Sequence, residues 1–104
     1  MDIKELAAAQ QGYCVSMRRE FHENPELSGL EFETRKRITR ELDAMGIPYE
    51  LLDGTGIIAK VEGAKPGPCR ALRADIDALP VQESPTNLRR ERVCVSKVAG
   101  RMHA

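Results

Sequence analysis

The chain has 104 residues, of which 41% are hydrophobic and only 4% aromatic, and its 16 basic side chains balance 16 acidic ones. This length allows one small domain with a thin aliphatic core and excludes two independent cores. A net charge of zero supplies no excess of positive charge that would attract nucleic acid or an anionic membrane. No apolar stretch approaches the roughly 18 residues that are needed to cross a bilayer. The one basic cluster, Arg89, Arg90 and Arg92, is interrupted by Glu91. Three widely spaced cysteines without a C-x-x-C pair indicate reduced thiols and predict a cytoplasmic protein.

Two amphipathic helices are predicted in the first half of the chain. Asp2 can cap the first, which must end before Pro25 because proline disfavours helical geometry in the residue that precedes it. The second is predicted to begin after Ser28, which forms an S-x-x-E capping box with Glu31, and to end at Gly46. The predicted apolar stripes are Ile3, Leu6, Tyr13, Met17 and Phe21 in the first helix and Ile38, Leu42 and Met45 in the second.

The hydrophobic period then changes to that of β-strands. Residues 49–52, 57–61 and 69–76 are predicted strands, and residues 93–95 are a further short candidate. The third strand is mostly apolar on both faces, which is typical of central strands in α/β sheets that are covered on both sides. Two helices and about three strands cannot supply both covering layers and both sheet edges.

Candidate chemistry concentrates at the end of the predicted third strand, in the run R-A-D-I-D-A-L-P. Alternate residues of a strand point to the same side, so Arg73, Asp75 and Asp77 are predicted to share one side at the end of this strand. The carboxyl ends of strands are where open α/β sheets place their functional sites. Two close carboxylates can ligate a divalent metal, orient a histidine ligand or share a proton. The structural alternative is that both aspartates end the strand and pair with Arg73. Spacing alone leaves both interpretations open.

Neither histidine has a ligand partner nearby in the sequence. His22 falls at the end of the first helix, where the helix dipole favours histidine, so a capping or partly buried role is the leading interpretation. Taken alone, His103 is the side chain of a frayed terminus. No serine has a G-x-S-x-G context and no cysteine adjoins a histidine, so no nucleophilic triad is predicted.

Several motifs follow one another in a fixed order along the chain. They are R-R-E-F-H-E-N-P-E-L-S from Arg18, G-T-G-I from Gly54, A-L-R-A-D-I-D-A-L-P-V-Q-E from Ala71 and G-R-M-H-A from Gly100. This series resembles the amino-terminal part of the M20 metallopeptidase family, in the amidohydrolase branch of hippurate hydrolases, N-acyl-amino-acid amidohydrolases and indole-acetyl-amino-acid hydrolases. The resemblance covers nearly the whole chain, and residues 85–92 depart from the usual family sequence.

The resemblance implies an α/β fold in which residues 1–104 form the amino-terminal segment of a three-layer α/β/α catalytic domain with a mixed sheet. It also implies that the lid or dimerisation domain of the family is absent from this segment. The implied activity is hydrolysis of the amide bond of N-acyl amino acids or small peptides by a water that two divalent ions activate, with Zn, Mn, Co or Ni as the metal. Asp77 matches a family position that orients a metal-bound group, and Asp75 lies beside it.

In the family, Met-His-Ala leads into Cys-Gly-His-Asp-x-His, where the metal ligands begin. The chain is therefore expected to hold none of the metal ligands, to bind no metal cofactor and to be inactive alone, unless the gene product continues beyond Ala104. A second hypothesis is a small non-catalytic interaction module or a homo-oligomer, because so short a piece leaves a sheet edge and apolar faces uncovered. Neither nucleic acid nor a membrane is an expected partner.

Overall fold

Two helices and four short strands form along the chain, and the computed structural model describes residues 2–87 and 90–103, with only the backbone for Asn87. The elements are α1 (Ile3–Glu23), α2 (Phe32–Met45), β1 (Tyr49–Leu51), β2 (Ile57–Ala59), β3 (Thr86–Asn87) and β4 (Arg90–Glu91). They divide between two compact units. Unit 1 combines the residues up to Pro25 with those from Leu79 onward, and unit 2 is Glu26–Ala78. No helix in the described ranges is long and apolar enough to cross a bilayer.

In unit 1, α1 begins and ends where the sequence predicts. The Asp2 carboxylate accepts a hydrogen bond from the backbone N–H of Lys4 at 2.9 Å, which satisfies one of the free donors of the first turn. At the other end, the Asn24 N–H donates to the Phe21 carbonyl at 3.2 Å, and its side-chain amide donates to the Glu20 carbonyl at 2.8 Å. The first predicted helix is confirmed together with its cap.

The remainder of unit 1 is held by short backbone pairings. Leu79 and Met102 exchange two hydrogen bonds of 2.8 and 3.1 Å, and β3 pairs antiparallel with β4. The Lys97 N–H donates to the Glu23 carbonyl at 2.9 Å, and this bond attaches the loop that follows β4 to the end of α1. Residues 93–95 do not form the strand considered for them, since pairing ends at β4.

In unit 2, the predicted capping box of Ser28 and Glu31 is wrong. Glu31 occupies the N-cap of α2 but makes no side-chain capping hydrogen bond. Gly29 has a φ of 82°, and this left-handed conformation interrupts any helix that starts at Ser28. Glu26 caps the first turn of α2 instead. Its carboxylate accepts hydrogen bonds from the Glu33 N–H at 3.3 Å and from the N–H and Oγ1 of Thr34 at 2.5 and 2.6 Å.

The carboxyl end of α2 and the strands after it match the prediction. Gly46 has a φ of 70°, its N–H donates to the Asp43 carbonyl, and the N–H of Ile47 donates to the Leu42 carbonyl. These two bonds form a Schellman motif, which only glycine closes without strain. β1 then pairs antiparallel with β2, which confirms the first two predicted strands.

The third predicted strand does not form over residues 69–76. Leu72 in the middle of this segment is fully exposed. A strand that is apolar on both faces needs neighbours on its edges and covering layers on its faces, and unit 2 contains only the β1–β2 hairpin as a sheet. Pairing resumes at Ala78, whose N–H donates to the Glu26 carbonyl at 2.7 Å.

The apolar core is as thin as the composition predicts. Among the residues that the structure describes, the buried apolar side chains are Ala78, at 3% exposure, and Pro25, whereas the polar residues Glu31, Thr34, Thr55 and Glu83 are also buried. The predicted stripes are less covered than expected. Ile3, Leu6, Tyr13 and Met45 are exposed, and Met17, Phe21, Ile38 and Leu42 are half-buried.

Glu26→Gln removes the charged acceptor at the start of α2. Burial raises the pKa of the Glu26 carboxyl, but the hydrogen bonds from Thr34 and Glu33 and the charge of Arg37 outweigh it, so the pKa lies below its usual value. A lowered folded-state pKa contributes stability above the unfolded pKa, and this contribution is lost as the pH falls through the folded pKa. We expect the variant to lose about 1 kcal/mol of unfolding free energy at neutral pH.

Urea denaturation followed by helical circular dichroism measures this loss as a function of pH. We expect the difference between the two proteins to shrink in acid, where the wild-type carboxyl is itself protonated. Glu33→Gln is the matched control, because Glu33 makes an exposed ion pair of 3.0 Å with Lys36 and its removal costs less than about 0.5 kcal/mol. Equal losses for both variants, or a loss that does not change with pH, would contradict the capping role.

Candidate functional site

The two aspartates predicted from the sequence lie in unit 2 and line one groove. Both are exposed. The Arg73 Nη2 lies 2.8 Å from the Asp75 Oδ1, whereas no ion pair is formed by Asp77 with the described residues. The predicted ion pair with Arg73 is therefore formed by Asp75. The Asp77 carboxylate forms no ion pair with the described residues.

A buried glutamate, Glu31, lies in the same groove. Its Oε2 accepts a hydrogen bond of 2.9 Å from the Thr55 hydroxyl, and its Oε1 accepts one of 2.9 Å from the Leu30 N–H. Both oxygens are thus engaged, so Glu31 fastens the β1–β2 turn to the start of α2. Apolar residues that also line the groove are Ile38, Leu42, Leu52 and Ile57.

A second polar cluster lies in unit 1 around a buried carboxylate. His22, in the last turn of α1, places its Nε2 2.5 Å from the Oε2 of Glu83, whose side chain is 5% exposed. The other oxygen of Glu83 lies 3.6 Å from the Arg92 Nε, which donates to the Ser84 carbonyl at 2.7 Å. The His103 ring centroid lies 6.4 Å from that of His22. This arrangement surrounds one buried negative charge with a histidine and a guanidinium.

The structure agrees with the prediction for His22 but not with the prediction for His103. His22 is half-buried at the end of α1, as predicted. His103 is also half-buried, because the neighbouring Met102 pairs with Leu79, so the expectation of a frayed terminus is wrong. Glu83 was missed, since it lies 61 positions from His22. The available signal was that both residues belong to the ordered motifs of the sequence.

Cys94 in unit 1 is half-buried, and its Sγ lies 3.3 Å from the Arg19 carbonyl. Burial and the nearby Glu23 carboxylate raise the pKa of the Cys94 thiol, and the positive charges of Arg18 and Arg19 offset only part of this. The thiol is therefore protonated at neutral pH and is a poor nucleophile.

The described residues do not fit a metal centre. Across residues 2–87 and 90–103, no group of three or more His, Cys, Asp or Glu side chains is arranged to hold a metal ion. Arg73 engages Asp75, and the oxygens of Glu31 already accept two hydrogen bonds. A two-metal site cannot be built from this donor set.

Comparison with known proteins identifies the family, although no family model matches the chain. It is 51% identical over 94 residues to N-acetylcysteine deacetylase of Bacillus subtilis, covering 86% of this chain and 23% of that protein. It is 42% identical over 105 aligned positions to thermostable carboxypeptidase 2 of Saccharolobus solfataricus, covering 99% of this chain and 24% of the relative. IAA-amino acid hydrolase ILR1-like 6 of Arabidopsis thaliana is 51% identical over 89 residues, 85% of this chain and 18% of that protein.

A solved structure agrees with these relatives. The Bacillus subtilis YXEP protein, a dinuclear metal-binding peptidase from the M20 family, matches 92% of this chain with a TM-score of 0.77 and 46% identity. The chain belongs to the M20 family. Its two helices and small antiparallel sheet form an α/β segment of an M20 peptidase domain, as predicted. The M20 segment spans between 18% and 26% of the length of these four proteins.

His22→Ala should destabilise the M20 segment by about 3 kcal/mol, because the buried Glu83 carboxylate loses its closest partner. A double-mutant cycle measures the energy of interaction between the two side chains. It compares the denaturant unfolding of His22→Ala, of Glu83→Gln and of the double variant with that of the wild type. We expect the double variant to lose at least about 1 kcal/mol less than the sum of the single variants.

The matched control for this cycle is Lys97→Gln in the same unit. The Lys97 ammonium forms a 3.0 Å ion pair with the more exposed Glu23, and removing it should cost clearly less than His22→Ala because water screens the pair. If His22→Ala costs no more than Lys97→Gln, or if the single losses simply add, the buried pair does not hold unit 1 together.

Proposed function

We propose that this M20 segment serves a hydrolase that cleaves the amide bond of N-acyl amino acids. The observation that supports this most directly is the 51% identity to N-acetylcysteine deacetylase over 86% of the chain. A further relative is named as an IAA-amino acid hydrolase, and its substrate also joins an acyl group to an amino acid. The carboxypeptidase relative extends the proposed substrate class to small peptides.

The proposed role of the segment is positioning. We propose two divalent ions for the complete hydrolase, and the dinuclear metal-binding M20 peptidase supports that number. Zn, Mn, Co or Ni is the proposed metal. Since the described residues do not fit a metal centre, no metal-dependent step is assigned to them. The 104-residue chain alone is proposed to be inactive.

Within the segment, Asp77 is the proposed orienting residue and Asp75 its neighbour. Arg73 neutralises the Asp75 carboxylate, so that side chain is less available to another group. Asp77 is exposed and forms no ion pair within the described part of the chain. A carboxylate in this state can accept a hydrogen bond from a histidine or a substrate N–H and hold it in one orientation.

A segment exchange tests this role. The aligned 94 residues of N-acetylcysteine deacetylase are replaced with the corresponding part of this sequence. We expect the chimera to hydrolyse N-acetylcysteine, and Asp77→Asn to lower its kcat about 10- to 100-fold with little change in KM. Asp75→Asn should have a smaller effect because Arg73 already holds that carboxylate.

Arg70→Gln is the control for the exchange, because Arg70 is exposed and lies outside the groove of the aspartates. Circular dichroism and thermal unfolding confirm that each variant is folded. A folded chimera in which Asp77→Asn retains full kcat contradicts the orienting role. Turnover by the isolated chain above a metal-only control contradicts its proposed inactivity.

Self-association is a second candidate function, with another copy of this chain as the partner. The β1–β2 sheet has only two strands, and Ile58, Val61 and Leu72 are exposed in the same unit. Open sheet edges and exposed apolar side chains favour strand pairing between copies.

Size-exclusion chromatography with light scattering measures this association. We expect a dimer or larger species, and we expect Leu72→Lys to weaken it at least about tenfold by placing a charge in the contact. Val93→Lys is the matched control, since Val93 is an exposed apolar residue of unit 1. A wild-type chain that stays monomeric at all concentrations contradicts the second candidate.

A further inference from the structure

Arginine supplies four of the eight described residues that line a groove in unit 1, although the chain as a whole carries no net charge. Arg18 and Arg19 come from α1, and Arg90 and Arg92 come from β4 and the residue after it. Glu91 is the only acid among the described lining residues. The groove has a volume of about 490 Å³, which suits a small ligand. Arg89 lies outside the described residues.

Three of these arginines have no carboxylate partner among the residues that the structure describes. Arg92 is committed to Glu83 and to the Ser84 carbonyl. In contrast, no ion pair is formed by Arg18, Arg19 or Arg90 with the rest of the described chain. The Nε of Arg19 is also buried without a hydrogen bond partner, which is unfavourable unless something else supplies an acceptor.

No carboxylate of the described residues accepts a hydrogen bond from the Arg19 Nε. One oxygen of Glu83 faces His22, the other lies 3.6 Å from the Arg92 Nε without a hydrogen bond, and Glu23 pairs with the Lys97 ammonium at 3.0 Å. The positive field also reaches the thiol beside the groove, because Arg18 and Arg19 lower the pKa of Cys94 against the effect of burial. Arg92 pairs with Glu83 and Glu91 adds one carboxylate, so the described lining keeps an excess of positive charge.

We propose that this groove binds the phosphate group of a small molecule, either free phosphate or a phosphomonoester. Guanidinium groups match phosphate oxygens with paired N–H donors, and a tetrahedral dianion can engage Arg18, Arg19 and Arg90 from different sides. A planar carboxylate carries one charge and two oxygens, so it satisfies fewer of these donors. Among the described lining residues the one ring is that of His22, which Glu83 engages, and there is no Phe, Tyr or Trp on which nucleic acid bases could stack.

Isothermal titration calorimetry of the 104-residue chain at low ionic strength tests the proposal, with inorganic phosphate and O-phosphoserine as the probes. We expect saturable binding of one equivalent, and acetate to bind at least about tenfold more weakly. Arg18→Gln and Arg90→Gln should each raise the Kd about tenfold, since each removes a charge-assisted hydrogen bond donor. The tighter of the two probes identifies free phosphate or a phosphomonoester as the ligand.

Arg70→Gln is the control variant, because Arg70 is an exposed arginine of unit 2. It should leave the Kd within about twofold. Circular dichroism of the two test variants should match the wild type, since both arginines are exposed. No saturation by either probe, equal affinity for acetate, or an equal loss in Arg70→Gln would overturn the proposal. None of these readouts involves amide hydrolysis, so the result stands apart from the proposed enzymatic role.

Discussion

Removing a carboxylate from water is unfavourable unless hydrogen bond donors replace the water around it. Glu31 and Glu83 are buried and Glu26 is half-buried, and each has a polar partner from another segment: Thr55 for Glu31, His22 for Glu83 and Thr34 for Glu26. The second oxygen of Glu83 has no hydrogen-bond partner among the described residues. Glu26 holds Thr34 at the start of α2, and Glu83 holds His22 at the end of α1. With so few buried apolar side chains, these contacts decide which segments of each unit come together.

Features set by neighbouring residues were predictable, and features set by distant residues were not. The Asp2 cap and the glycine end of α2 at Gly46 depend on atoms within about one helical turn, so their sequence signals are sufficient. The Ser28 capping box failed because a glycine turn intervenes and a more distant glutamate caps the helix. The third strand failed because residues 69–76 find no neighbouring strand in unit 2. The partner of Glu83 required knowledge of the fold.

In the candidate site too, the sequence predicted some features and not others. Family membership was predictable because several motifs occur in one order, and the relatives confirm it. Spacing placed Asp75 and Asp77 together, but only side-chain positions distinguish the carboxylate held by Arg73 from the uncommitted one. The sequence placed Arg90 and Arg92 in one basic cluster, but it did not show that Arg18 and Arg19 line the same groove, because residues so far apart in the chain are brought together only by the fold.

The pairing of Leu79 with Met102 also bears on how this region can change in evolution. Two backbone hydrogen bonds close the loop between them at its base. The entropy of closing a loop grows slowly with length, by about 0.6 kcal/mol for each doubling. Residues can therefore be added or exchanged at the tip while the base keeps its geometry. The hairpin of β3 and β4 lies inside this loop, which makes it a place where an M20 protein can acquire new surface chemistry without rebuilding its scaffold.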